Sequence, residues 1–359
     1  MPDSSMQAEH APRRARLREA RWAVIVLFFV NGAGGASWFV RIPDVQESLA
    51  LSPGRLGIAL LGAPAGSLIV APIAAWFIDR YGSRVVARLG ALAFCLTLSL
   101  PALAPNLATL TLALFVFGAT GGMMDIAMNA QAVAGEERYE RPVMSSFHGV
   151  YSLGAMTGAL LGSVIATLGA APVLHLLLAG LILVAATIVT STHLLPVKAH
   201  NGAHRPLPAR PNGLLITLGT VAFCVLLGEG AMSDWSAVYL RGVLGAEPWL
   251  ASAGFALFSL TMATGRILGD RLALALGPPR LVRLGGLIAA IGLALAVVAQ
   301  QALAAVIGFG LVGIGFATIY PLMISAAGTV TGVTPGVAVA SVATLGYIGL
   351  LVGPPLIGL

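Results

Sequence analysis

Four ionisable side chains stand well inside long uncharged runs, Asp125, His148, His175 and Glu229, and a fifth, Asp234, lies nearer the end of its run. In a membrane-crossing run, a charge at the centre costs at least ~2.5 kcal/mol on insertion scales, so each residue needs a partner or a task. Asp125 lies in Gly121-Gly-Met-Met-Asp-Ile-Ala-Met-Asn-Ala-Gln131, and Asn129, four residues on, shares its helix face. Gly118, Gly121 and Gly122 in the same stretch permit close helix approach. The pattern suits a proton- or substrate-binding carboxylate beside a cavity. The alternative, an ion pair with a buried arginine, finds no Arg inside the first seven runs.

His148 lies in Met144-Ser-Ser-Phe-His-Gly-Val-Tyr-Ser-Leu-Gly154, where Ser145, His148 and Ser152 recur at helical spacing as a polar stripe. The stripe fits a cavity wall as well as it fits a satisfied hydrogen-bonding histidine. His175, between Leu174 and Leu176, reads as the latter. Asn31-Gly-Ala precedes Trp38 much as Glu229-Gly-Ala precedes Trp235. An aromatic face beside a carboxylate or amide suits a polyol or amino-sugar, through stacking and hydrogen bonding together. Trp38 and Trp235 read equally well as anchors at the outer headgroups.

The elements that must position these residues are apolar helices. Of the 359 residues, 58% are hydrophobic and 9% charged, and the mean hydropathy is +0.92. Soluble domains carry about 25% charged residues to face water. A soluble enzyme, a nucleic-acid binder and a disordered chain are therefore excluded in favour of an all-α polytopic membrane protein. The net charge of +6 comes from basic residues in short stretches between apolar runs, which set topology rather than form a nucleic-acid surface. Cys95 and Cys224 lie far apart inside apolar runs, without disulfide or metal spacing.

A helix needs about 20 apolar residues to cross a bilayer. Trp22–Val40 and Leu56–Ile78 supply two spans. The uncharged run from Leu89 to Met124 is broken by Pro101, Pro105 and Asn106 into two more. Pro142–Val197 is broken at Gly169-Ala-Ala-Pro172, which gives a fifth and a sixth. A polar, proline-rich linker, 198–211, follows. Beyond it come Asn212 to about Tyr239, Trp249 to about Gly265, Leu284–Val298, about Leu303 to Ala327, and Gly336 to the end, eleven spans in all. The expected organisation is a cytoplasmic tail 1–20, a six-helix bundle 21–197, the linker, and a second bundle 212–359. With the N-terminus cytoplasmic, only Arg41, Arg55 and Arg241 fall outside, and the other 17 of 20 basic residues fall inside.

The halves repeat. Gly82-Ser-Arg-Val-Val-Ala-Arg-Leu-Gly-Ala-Leu92 aligns without gaps to Gly277-Pro-Pro-Arg-Leu-Val-Arg-Leu-Gly-Gly-Leu287, and each follows an Asp-Arg pair, Asp79-Arg80 and Asp270-Arg271. The loop Asp79-Arg-Tyr-Gly-Ser-Arg84 after the second span resembles the signature Gly-x-x-x-Asp-Arg-x-Gly-Arg-Arg of the major facilitator superfamily, departing at Ala75 and Ser83. That resemblance implies two six-helix halves related as parallel repeats and joined by a cytoplasmic linker. The superfamily has twelve spans; this chain stops at Gly353-Pro-Pro-Leu-Ile-Gly-Leu359 within the eleventh, so the twelfth is missing from it.

The Asp125 and His148 segments, with Glu229-Gly-Ala-Met-Ser-Asp-Trp235, resemble the bacterial branch that includes a rhizopine permease and, more distantly, the proton-coupled fucose permease. The resemblance implies that Asp125 carries a coupled proton and that Asn31, Trp38, Asn129, His148, Ser152, Glu229 and Trp235 line the substrate cavity. It also implies that Asp79, Arg80, Gly82 and Arg84 form a cytoplasmic gate, with Asp79 near the start of the eleventh span around Thr334–Gly336. The expectation is a non-enzymatic, monomeric transporter in the bacterial inner membrane, handling a small polar solute and protons, without cofactor or metal. Proton-driven export of hydrophobic compounds, and a non-transporting sensor or assembly protein, are the alternatives.

Overall fold

The computed structural model describes residues 4–196, 213–246 and 248–358, and the expected linker 198–211 lies outside them. Among the described residues every regular element is helical. In chain order they are α1 (Ser4–Ser48), α2 (Pro53–Leu60), α3 (Gly62–Tyr81), α4 (Ser83–Thr97), a 3-10 turn (Leu100–Leu103), α5 (Leu107–Tyr139), α6 (Met144–Thr167) and α7 (Pro172–Ser191). Then come α8 (Gly213–Gly242), α9 (Pro248–Leu276), α10 (Pro278–Val298), α11 (Ala302–Phe316), α12 (Ile319–Gly328) and α13 (Pro335–Gly358). Among the described residues ten stretches are long and apolar enough to cross a bilayer, with α2–α3 and α11–α12 each acting as one stretch. Helix α9 stands where the eighth span is expected.

The breaks fall where the local chemistry puts them. Asn106 starts α5 through a capping box: its side-chain oxygen accepts from the Thr109 N–H at 3.0 Å, and Thr109 Oγ1 accepts from the Asn106 N–H at 3.2 Å. Gly169, at φ +75°, separates α6 from α7, which opens on Pro172. Gly82 turns between α3 and α4 at φ 83°, ψ 150°, and Gly277 turns before α10 at φ 77°, ψ 145°. That conformation is essentially restricted to glycine, so the aligned loops share a backbone shape as well as a sequence.

Two expected boundaries shift. Helix α1 runs past Arg41 to Ser48, and α9 runs past Gly265 to Leu276, which places Arg41 and Arg266 inside helices. A charge ends an apolar run, but arginine is a good helix former and does not end a helix.

The contacts divide the chain into two compact units, one of 1–141, 150–209 and 333–340, the other of 142–149, 210–332 and 341–359. In the first unit α3 and α5 meet at small residues: a side chain at Gly66 would strike the Phe115 carbonyl and one at Gly118 the Ala63 carbonyl. The Ser67 hydroxyl donates to the Gly118 carbonyl at 2.8 Å across the same contact. In the second unit α9 and α11 repeat the device, with Gly313 against Phe258 and the Thr261 hydroxyl donating to the Gly310 carbonyl at 2.9 Å. Lipid offers no hydrophobic drive for helix association, so close backbone approach and such hydrogen bonds supply it. Large apolar side chains point outward instead, Ile182 at 68% and Leu260 at 64% exposure among them, the reverse of a water-soluble surface.

Candidate functional site

In the first unit, Asp125 sits mid-way along α5 and is part-buried. The Asn129 amide, 1% exposed, donates to the Asp125 backbone carbonyl at 2.9 Å and to its carboxylate at 3.1 Å. The i, i+4 spacing thus delivers a carboxylate already oriented by an amide. Asn31 on α1 and Ser152 on α6 are half-buried in the same unit, and Trp38 is enclosed within it at 2% exposure.

Further along α5, Gln131 is fully buried and ties three segments together. Its amide nitrogen donates to Ser83 Oγ at 2.8 Å and to the Leu195 carbonyl at 3.1 Å, while its oxygen accepts from the Leu195 N–H at 3.0 Å. Arg84 donates to the Thr192 carbonyl at 2.6 Å. The loop following α3 is therefore held from both sides, by Gln131 on Ser83 and by Arg84 on the end of α7. Arg80 is exposed and Asp79 is half-buried; Asp79 makes no hydrogen bond or ion pair among the described residues. Its neighbour Ile78 packs on Gly336 in the first turn of α13, where a side chain would come within 2.7 Å of the Ile78 Cγ2.

In the second unit the repeat of that loop is engaged. Asp270 accepts hydrogen bonds from the backbone N–H of Ser145 at 2.9 Å and of Ser146 at 3.0 Å, and from the Ser146 hydroxyl. These are among the N–H groups that the first turn of α6 cannot satisfy internally. Gly269 makes the approach possible, since a side chain there would lie 2.7 Å from Ser145 Cβ and from Thr318 Cγ2. Arg271 is exposed.

The same unit gathers a polar cluster. Glu229 on α8 pairs with Arg266 on α9 at 2.9 Å, with Arg266 side-chain exposure of 8%. His148, 6% exposed, meets the Tyr320 ring edge-on with centroids 5.7 Å apart, and feels the Arg266 charge. Glu229 and His148, expected as cavity residues, thus share an environment with Arg266 and Tyr320. Of the stripe on α6, Ser145 and His148 group with this unit and Ser152 with the other. The side chains of Asp234 and Trp235 lie outside the described residues.

Sequence reasoning missed Arg266, Tyr320 and the clamp by Gln131. Aligning the two Asp-Arg loops sets Arg266 opposite Ala75, four residues before each aspartate. That was the available signal for a charge lying inside the eighth helix. His175 finds a specific partner in Arg41, whose Nε donates to its Nδ1 at 3.0 Å.

A repeated helix set, apolar outside and polar at a few buried points, with a glycine turn and an acidic residue at equivalent positions, defines a multi-pass helical membrane protein. The chain belongs to the Major Facilitator Superfamily, whose profile matches residues 23–354. It is 37% identical to an uncharacterised MFS-type transporter of Yersinia pestis, over 92% of this chain and 86% of that one. It is 34% identical to the membrane protein MosC of Rhizobium meliloti, over 94% and 82%. Among solved structures, FucP in its outward conformation superposes with a TM-score of 0.77 at 17% identity, covering 94% of this chain and 90% of FucP. The human organic anion transporter MFSD10 superposes with a TM-score of 0.75 at 16% identity, over 95% and 92%.

Proposed function

We propose that this transporter moves a small polar solute of the sugar, cyclitol or amino-sugar type across the bacterial inner membrane as a proton symporter, with Asp125 carrying the proton. The observation that carries this reading is the Asp125–Asn129 pair. A carboxylate inside a membrane helix, oriented by an amide hydrogen bond at 3.1 Å, can take up a proton where the site opens to one side and release it on the other. The neutral form suits a closed, water-poor site and the charged form an open one. A relative in fold, FucP, is a fucose:proton symporter, which supports the same class of cargo and coupling here.

Alternating access opens the site to each side in turn. In this reading Asn31, Asn129, Ser152, His148 and Glu229 contribute hydrogen-bonding groups to the solute, with Trp38 and Trp235 as stacking faces. The N-terminus is cytoplasmic, and the protein works as a monomer. Asp79 stabilises a closed cytoplasmic gate through the positive end of the α13 dipole, with the Ile78–Gly336 contact setting the approach. Proteoliposome transport of sugars, cyclitols and amino-sugars, with proton uptake followed alongside, tests the reading. Substrate-dependent proton uptake lost in Asp125→Asn supports it, and solute movement without proton movement refutes the coupling.

A further inference from the structure

Arg41 is a buried cation with an unusual partner. It is 2% exposed, its Nη1 pairs with the Asp44 carboxylate at 2.8 Å, and its Nε donates to Nδ1 of His175 at 3.0 Å. Its remaining nitrogen, Nη2, is buried without a hydrogen-bond partner. Arginine has donors only, so the 3.0 Å contact requires a lone pair on Nδ1. His175 is therefore neutral here, with its ring proton on Nε2. The hydrogen bond joins residues 134 apart in sequence and ties the end of α1 to the first turn of α7.

We propose that His175 is a proton-sensing site and that its bond to Arg41 is a latch, closed when the imidazole is neutral and released when Nδ1 is protonated. A proton on Nδ1 abolishes the acceptor and sets an imidazolium against a guanidinium about 3 Å away, in surroundings of low dielectric. Few other charges bear on the pair. Asp44 and Glu47 come from α1; α7 has no other ionisable side chain; the loop 168–171 and the segment 98–106 have none. Helix α6, whose Gly162 lies against the ring, has no Asp, Glu, Lys or Arg, while Arg84 and Arg88 belong to the start of α4, with Arg84 bonded to Thr192 at the other end of α7. Asp44 already pairs with Arg41 through Oδ2, so after protonation a single carboxylate would face two cations. A cavity of about 490 Å³, lined by Arg41, Asp44, Glu47, Ser48, Gly169 and Pro172, opens on the Arg41–Asp44 side of the buried pair. With the orientation proposed above, that opening is on the outer side, so the latch reads external acidity apart from the coupling carboxylate.

Hydrogen–deuterium exchange over residues 38–49 of the purified full chain, at about pH 7.5 and in steps down to about pH 4.5, covers the range where a free histidine changes charge and extends below it. Rates are corrected for the intrinsic pH dependence of exchange. The wild type is expected to lose protection several-fold within this range. His175→Gln, which keeps an acceptor oxygen but does not titrate, holds its protection throughout; His175→Asn serves if the longer side chain does not fold. His175→Phe loses protection already at the highest pH. Parallel loss in the wild type and the Gln variant, or no loss in either, overturns the proposal. None of these readings needs a substrate, a proton gradient or a known orientation, so failure of the latch and failure of the symport reading are separately visible.

Discussion

The carboxylate of Asp270 lies on the first turn of α6 and accepts the Ser145 N–H at 2.9 Å. A cap supplied from another helix does what an N-terminal Asp does within its own, and adds a charge at the positive end of the dipole. The equivalent aspartate of the first half, Asp79, is half-buried and caps no helix among the described residues, although its neighbour Ile78 packs on the first turn of α13. One sequence repeat thus supports two different states of contact. In the second half the glycine belongs to the loop helix, Gly269 against Ser145; in the first it belongs to the receiving helix, Gly336 against Ile78.

The two aspartates should therefore respond differently to substitution. Asp270→Ala removes an engaged cap and should destabilise the protein by about 0.5–2 kcal/mol, read as a lower thermal midpoint in detergent. Asp79→Asn should leave that midpoint unchanged and lower the turnover rate more than substrate affinity. Equal midpoint losses for both would contradict the asymmetry.

Breaking the Glu229–Arg266 pair from either side leaves a buried charge or a buried polar group uncompensated. Glu229→Gln and Arg266→Met alone should each be costly, up to about 3–5 kcal/mol for a buried pair, and the double variant should recover most of the loss. A denaturant double-mutant cycle measures the coupling. Additive losses would mean that the two side chains do not depend on each other.

At Gly82 and Gly277 the backbone adopts a conformation that a side chain strains. Alanine at either position should cost about 1–3 kcal/mol, by a similar amount at both because the two turns share φ and ψ to within a few degrees. Unfolding measurements on the two single variants would show the match, and a negligible cost at one of them would break it.

Much of this was legible in the sequence because lipid imposes simple rules. Uncharged runs, proline and glycine breaks and the Asp-Arg-x-Gly loop locate the helices and the repeat, and helical spacing alone places Asn129 on Asp125. Helix ends were less legible. The apolar run stops at Arg41 and at Arg266, but the helices continue, and each arginine is buried by a partner distant in sequence, His175 or Glu229. Long-range pairing of that kind leaves no local periodicity to read. The Asp270 contact with α6 was likewise hidden, since nothing in either segment alone names the other.

The most direct measurement is proton uptake on solute addition in proteoliposomes, screened over sugars, cyclitols and amino-sugars, with the wild type and Asp125→Asn side by side. The expected result is alkalinisation outside the vesicles in step with solute entry, abolished in Asp125→Asn while solute binding survives. Solute exchange with no pH change, or alkalinisation that persists in Asp125→Asn, would contradict the assignment of Asp125 as the residue that carries the proton.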